Sequence, residues 1–212
     1  MGEMMGVPQM RTIADAQALF DSAWQIMTRE IPRILGGELH YQAMVYHALR
    51  TAGAPIDQIG MNVKQWIEAP RSDLFRSLAD RKHVDFRRGF EPIPDVVMFG
   101  PQVGGDWRRR NRAVTLRSML MAIEIKASER AGGRLSRAEV VRDLLKLAAH
   151  REEVIHLGAD MAPVMVVIDV APSRGERMRS NDIDHCSKLA EERQIQWRYF
   201  GAPADMRPGE NM

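Results

Sequence analysis

Cysteine occurs once in this chain, as Cys186. A lone thiol builds no disulfide framework and no cysteine-based zinc site, so a reducing compartment is expected. Long apolar runs are also missing. The longest, from Ala162 to Ala171, falls well short of the ~20 residues a membrane helix needs. The first ten residues contain an acid and no apolar stretch of signal-peptide length, and a cytoplasmic protein without membrane contact is expected. Nothing matches GxxxxGK[ST] or GxGxxG, which argues against nucleotide-driven chemistry. The six histidines show no HxxxH or HxH spacing, so none is assigned a metal. Charge of one sign is not in excess either. The formal net charge is +2, and any nucleic-acid surface must come from charge distribution.

What is present suits one domain. The chain has 212 residues, 45% hydrophobic and 27% charged, enough to bury a full core. Residues 1–11 are expected as a disordered tail and 201–212 as a loose one. Helical periodicity runs from Thr12 to about Arg29 and again from Gly37 to Ala52. Alternation over Met61 to Glu68 predicts a strand, and 72–79 a helical turn. A short strand follows Asp95, and a long strand region, bent or split near Arg117-Ser118, spans Val114 to Ser128. Ser136 with Glu139 has capping-box spacing and opens a helix reaching about Leu157. A continuous apolar strand over 162–171, a helix over 182–193 and a strand over 195–200 complete the order. That order predicts an α/β fold over 12–200: a single mixed sheet with helices on both faces.

One stretch needs a chemical reason. Ser118 to Ser128 reads as a buried strand, interrupted by Glu124 and Lys126. Residues two apart share a strand face, so both charges emerge together while Ile123 and Ile125 face the other way. Buried charge is costly without a partner. A simple ion pair between Glu124 and Lys126 is one reading, and a metal site with a helper lysine is the other.

Pro94-Asp95 followed by Glu124-Ile125-Lys126 resembles the motif of the PD-(D/E)XK nuclease superfamily. Each half starts or ends an apolar strand, as that pattern requires. Glu38, on an upstream helix, matches an extra acid that many members carry. The resemblance covers roughly 37–200 and implies a restriction-endonuclease-like core. It implies that Asp95, Glu124 and the carbonyl of Ile125 hold Mg²⁺ or Mn²⁺, with Glu38 assisting through water or at a second ion. Lys126 would position or deprotonate the attacking water, its pKa lowered by its surroundings. Two carboxylates are suitable hard ligands for Mg²⁺, which stabilises phosphoryl oxygens and activates water.

Nucleic acid, with DNA the expected substrate, would meet basic side chains. Arg108, Arg109, Arg110 and Arg112 lie in a loop between the motif halves, beside Trp107, which is placed to stack on a base. Arg142 and Lys146 follow on the next helix, near Asp143, where phosphate contact and a plain solvated face are both open. Glu38 also has a simple alternative, as an acid favoured by its helix dipole. The function expected is metal-dependent phosphodiester hydrolysis by an endonuclease. The alternatives are a silent nuclease fold that binds nucleic acid or protein, and a structural α/β domain with an ion-pair network. Cutting both strands of a duplex calls for two sites, which a homodimer would supply.

Overall fold

In the computed structural model, residues 9–80, 91–107 and 113–202 are described. Helix α1 (Ile13–Glu30) opens with a capping box, in which Thr12 accepts from the Asp15 N–H and Asp15 from the Thr12 N–H. Helix α2 (Glu38–Thr51) follows a short 3₁₀ turn. Strand β1 (Ile59–Met61) precedes α3 (Asp73–Asp80), and β2 (Val96–Phe99) precedes α4 (Ala113–Arg117). The order then runs β3 (Met119–Ala127), α5 (Arg137–His156), β4 (Ala162–Asp169), α6 (Ser180–Glu192) and β5 (Gln196–Gly201).

The five strands form one mixed sheet in the order β1-β2-β3-β4-β5. The first three are antiparallel neighbours, and β3, β4 and β5 run parallel. The parallel pairs require crossovers, and α5 and α6 supply them. The expected α/β architecture is therefore observed. Every residue of β4 is buried, as a central strand covered on both faces requires.

Two cores flank the sheet. On one face, Phe20, Met27, Tyr41 and Leu49 of α1 and α2 pack on Met121, Ile123 and Ile125 of β3 and on alternate residues of β4. On the other, Phe75, Val140, Leu144, Cys186 and Ala190 pack on Val97, Phe99, Ala122, Met165 and Val167. Cys186 is a structural thiol, pushed up to about 11 by burial and by Asp182. No helix among the described residues is long and apolar enough to cross a membrane.

Four local expectations change. The strand expected over 61–68 is confined to β1, because Asn62 adopts φ +50° and turns the chain away. Val63, Gln65 and Ile67 are still buried, and Gln65 and Ile67 make only isolated bridges, the Gln65 N–H donating to the Pro92 carbonyl, so the alternation recorded packing and not a continuous ladder. Residues 113–117 are helical, not extended. Strand β2 ends at Phe99 opposite Met119, so residues before Met119 lack a ladder partner there. The chain also packs before Thr12. Met10 is buried, and its backbone N–H and C=O both bond the Gln58 amide. At the other end Gly201 pairs with Asp169 in the sheet. Residues 1–8 and 203–212 of the expected tails lie outside the described residues.

Helix α5 carries part of the candidate site, and its start is set by the expected capping box. Ser136 Oγ accepts from the Glu139 N–H at 3.3 Å, and Glu139 accepts from the Ser136 N–H at 3.1 Å. Ser136→Ala should destabilise the domain by about 1 kcal/mol. Urea unfolding would show this as a lower midpoint with an unchanged slope.

Candidate active site

The antiparallel pairing of β2 with β3 builds the site. Val96 lies opposite Ile123 and Val97 opposite Ala122, so the residue before β2, Asp95, falls opposite Glu124. Directly opposed residues share a face, and both carboxylates emerge beside α5. The Ile125 N–H donates to Asp95 Oδ2 at 2.7 Å, continuing the ladder through a side chain. The second Asp95 oxygen accepts from Gln42 Nε2 at 2.6 Å. Gln42 in turn accepts from Asn62 Nδ2 at 3.2 Å, while the Asn62 N–H donates to the Asp95 carbonyl. The turn that ends β1 thus holds the amide that holds Asp95.

Lys126 lies two residues along the same face. Its ammonium donates to Glu38 Oε2 at 3.0 Å and contacts Asp143 Oδ2 at 3.1 Å. Glu38 comes from the first turn of α2 and Asp143 from α5, so helices of both layers meet at this ammonium. A third carboxylate fixes the start of α2: Glu129 Oε2 accepts from the Glu38 N–H at 2.7 Å. Gly37 makes room for it, because a Cβ there would sit 2.6 Å from that oxygen. Glu38, expected to reach an ion through water or to assist a second one, is paired with Lys126.

These groups line a cavity of about 510 Å³, with Glu38, Asp95, Glu124, Lys126, Asp143 and Lys146 on its walls. Arg142 also lines it, on an exposed position of α5. Lys146 donates to Asp143 Oδ1 at 2.7 Å. Burial raises the Asp95 carboxyl to about 6; the Ile125 N–H and Lys126 partly oppose this, while Glu38 and Asp143 add to it. Glu124 is likewise held well above its ordinary value, first by burial and then by Asp95 and Asp143. Among the described residues no hydrogen bond or ion pair reaches the Glu124 carboxylate. Seven carboxylates line the cavity (Glu38, Glu91, Asp95, Glu124, Glu129, Glu139 and Asp143) against four basic side chains (Lys126, Arg130, Arg142 and Lys146), a deficit of three positive charges.

The lysine differs from the expectation. Burial pulls the Lys126 ammonium downward, but Asp143 and Glu38 outweigh it and hold its pKa above the ordinary value. Lys126 is a fixed cation here rather than a poised base.

Among the described residues no group of three or more His, Cys, Asp or Glu is arranged to hold a metal ion. The donor set expected from the sequence is smaller: Asp95 and Glu124, with the Ile125 carbonyl between Glu124 and Lys126 in β3. Mg²⁺ commonly uses one or two carboxylates and keeps several waters. The unpartnered Glu124, the raised carboxyls and the charge deficit fit a divalent cation.

Arg108, Arg109, Arg110 and Arg112 lie outside the described residues, as does the basic cluster of residues 81–88. Trp107 is described, and its ring stacks on Phe99 at 5.2 Å between centroids. It also covers Gly60, where a Cβ would approach the indole to 3.3 Å. Trp107 is therefore a packing residue rather than a free platform for a base. The sequence set Asp143 beside Lys146 without giving it a role, and Gln42 received none there although it shares a helix face with Glu38. The i, i+4 spacing of Glu38 and Gln42 was the available signal.

The raised Asp95 carboxyl has a consequence for stability. Its folded pKa lies above the ordinary 3.8, so the folded chain binds more protons than the unfolded chain between about pH 4 and 6. That contribution is present in acid and is lost as pH rises through about 6. The metal-free protein should therefore lose about 1–2 kcal/mol from this group between roughly pH 5 and pH 7.5. Urea melts would read the trend, and Asp95→Asn should remove this group's share while the share of the raised Glu124 carboxyl remains.

No family model, no curated protein and no solved structure matches this chain.

Proposed function

We propose that the chain is a metal-dependent nuclease that hydrolyses phosphodiester bonds, with DNA as its substrate. The observation that carries this reading is the Glu124 carboxylate. It stands unpartnered beside Asp95 and the paired Lys126, in a polar cavity short of positive charge. A structural ion-pair network would pair such a half-buried carboxylate, since a desolvated charge without a partner is costly.

Asp95, Glu124 and the Ile125 carbonyl would hold Mg²⁺ or Mn²⁺. Such an ion supplies charge for the phosphoryl oxygens and lowers the pKa of a bound water. The protein's own groups do the rest. Gln42 and the Ile125 N–H fix the Asp95 carboxylate, so its orientation is set before any substrate binds. Lys126 stays protonated and donates to a phosphate oxygen or to the attacking water, stabilising developing negative charge. Arg142 and Lys146, at the cavity wall, contact the nucleic-acid backbone. The PD-(D/E)XK resemblance of these residues agrees with this division of roles. A homodimer would place a second site for the opposite strand.

One observation favours a second reading, a nuclease-like fold that binds without cutting. Both Asp95 oxygens already accept hydrogen bonds from the protein. The two readings separate by experiment. Saturating Mn²⁺ should raise the melting temperature by ~5–10 °C, and Glu124→Gln should abolish the shift. Plasmid nicking in Mn²⁺ should fall at least ~10²-fold in Asp95→Asn, Glu124→Gln and Lys126→Met, while Lys126→Met keeps the thermal shift. A metal shift without nicking of any plasmid or oligonucleotide would favour the binding reading. Undiminished nicking by Asp95→Asn would overturn the assignment.

A further inference from the structure

Asp143 occupies an unexpected place for an acid. It lies among Val140, Leu144 and Leu147 on the buried side of α5, and only 4% of it is exposed. Both of its oxygens are used, each by a different lysine: Oδ2 meets Lys126 at 3.1 Å and Oδ1 meets Lys146 at 2.7 Å. The two lysines arrive from different elements, β3 and α5. One carboxylate therefore sets the separation of two ammoniums in the same cavity wall.

Such an arrangement is hard to explain by stability. Replacing buried ion pairs with packed apolar groups is often neutral or stabilising, and the buried neighbours of Asp143 on α5, Val140, Leu144 and Leu147, are already apolar. The donor count points elsewhere. An ammonium has three N–H donors. Lys126 contacts Glu38 and Asp143, which leaves one donor. Lys146 contacts Asp143, which leaves two. Both lysines line the cavity beside Glu124. A phosphodiester presents two non-bridging oxygens and matches a pair of donors held a carboxylate's width apart.

We infer that Asp143 is a positioning residue that holds Lys126 and Lys146 as a paired ammonium clamp for one phosphate of the substrate. This rests on the nuclease reading for its substrate, but the pairing itself can be tested without turnover. Asp143 touches neither substrate nor ion in this role; it acts through the two lysines.

The signature is a split between kinetic constants. Removing a carboxylate from a phosphate site should tighten binding if charge alone matters. If Asp143 positions the clamp, Asp143→Asn should lower kcat about 10²-fold on plasmid or a labelled oligonucleotide in Mn²⁺, with KM unchanged or lower. Asp143→Glu keeps the charge at a shifted position and should fall between the wild type and Asp143→Asn. Lys146→Met should lower kcat, and Asp143→Asn/Lys146→Met should be no worse than Asp143→Asn, because the two act as a unit. A kcat for Asp143→Asn within about twofold of wild type, or additive losses in the double variant, would overturn the proposal. Should Asp143→Asn not fold, Asp143→Glu decides: native melting with full kcat overturns it, and native melting with lowered kcat supports it. Acylation of lysines read by mass spectrometry needs no turnover. Lys126 and Lys146 should both label faster in a folded Asp143 variant that has lost the pairing, because each loses the carboxylate that accepts from its ammonium. Equal labelling would refute the shared clamp. A wild type that cleaves nothing would remove the nuclease reading, while the labelling would still decide the role of Asp143.

Discussion

The register between β2 and β3 is the constraint on which the cleft depends. With Val96 opposite Ile123, Asp95 lies opposite Glu124 on the face beneath α5. A slip of one residue would turn Glu124 and Lys126 into the core formed with α1 and α2. It would equally turn Ile123 and Ile125 out of that core, so hydrophobic burial enforces the alignment of the charges. The chemistry is therefore held by apolar packing on the opposite side of the same strand.

Around that pair, charge is distributed unevenly. Lys126 has two carboxylates, Asp95 has two donors, and Glu124 has neither among the described residues. Crowding and burial raise the carboxyls, and the same carboxylates hold the lysine protonated. A site with these properties favours an incoming cation at Asp95 and Glu124. It favours an incoming anion at Lys126 and Lys146. A phosphodiester accompanied by a divalent metal supplies both, which is why the proposed activity uses the whole cleft rather than one part of it.

The supports of the site come from distant parts of the chain. Asn62 accepts a left-handed backbone conformation, which asparagine tolerates better than most residues, and its side chain steadies Gln42. Glu129 occupies the N-terminus of α2 and so sets the turn that carries Glu38. Neither residue belongs to the motif. Both limit how far the charged side chains can move, and such prior ordering lowers the cost of binding a charged substrate.

Much of this was legible in the sequence, for identifiable reasons. The capping box at Ser136, the helical periodicity of α1 and α2, and the apolar run of β4 are local signals, and each element formed close to where it was expected. Glu124 and Lys126 share a face because strand geometry alternates, whatever the fold. Other features were beyond local reasoning. The alternation over 61–68 was real, yet Asn62 bends the chain there and the buried side chains pack without a continuous ladder. Residues 113–117 are helical because β2 stops at Phe99 and offers them no partner. The roles of Gln42 and Asp143 depend on α2 and α5 lying on opposite faces of the sheet. The sequence alone determined which residues bear charge and which strand face they share, since those follow from residue identity and a two-residue period. Only the tertiary structure decided that Glu38 pairs with Lys126, that Asp143 joins two lysines and that Glu124 is left unpartnered. Those are relations between elements far apart in the chain, set by how the helices pack on the sheet.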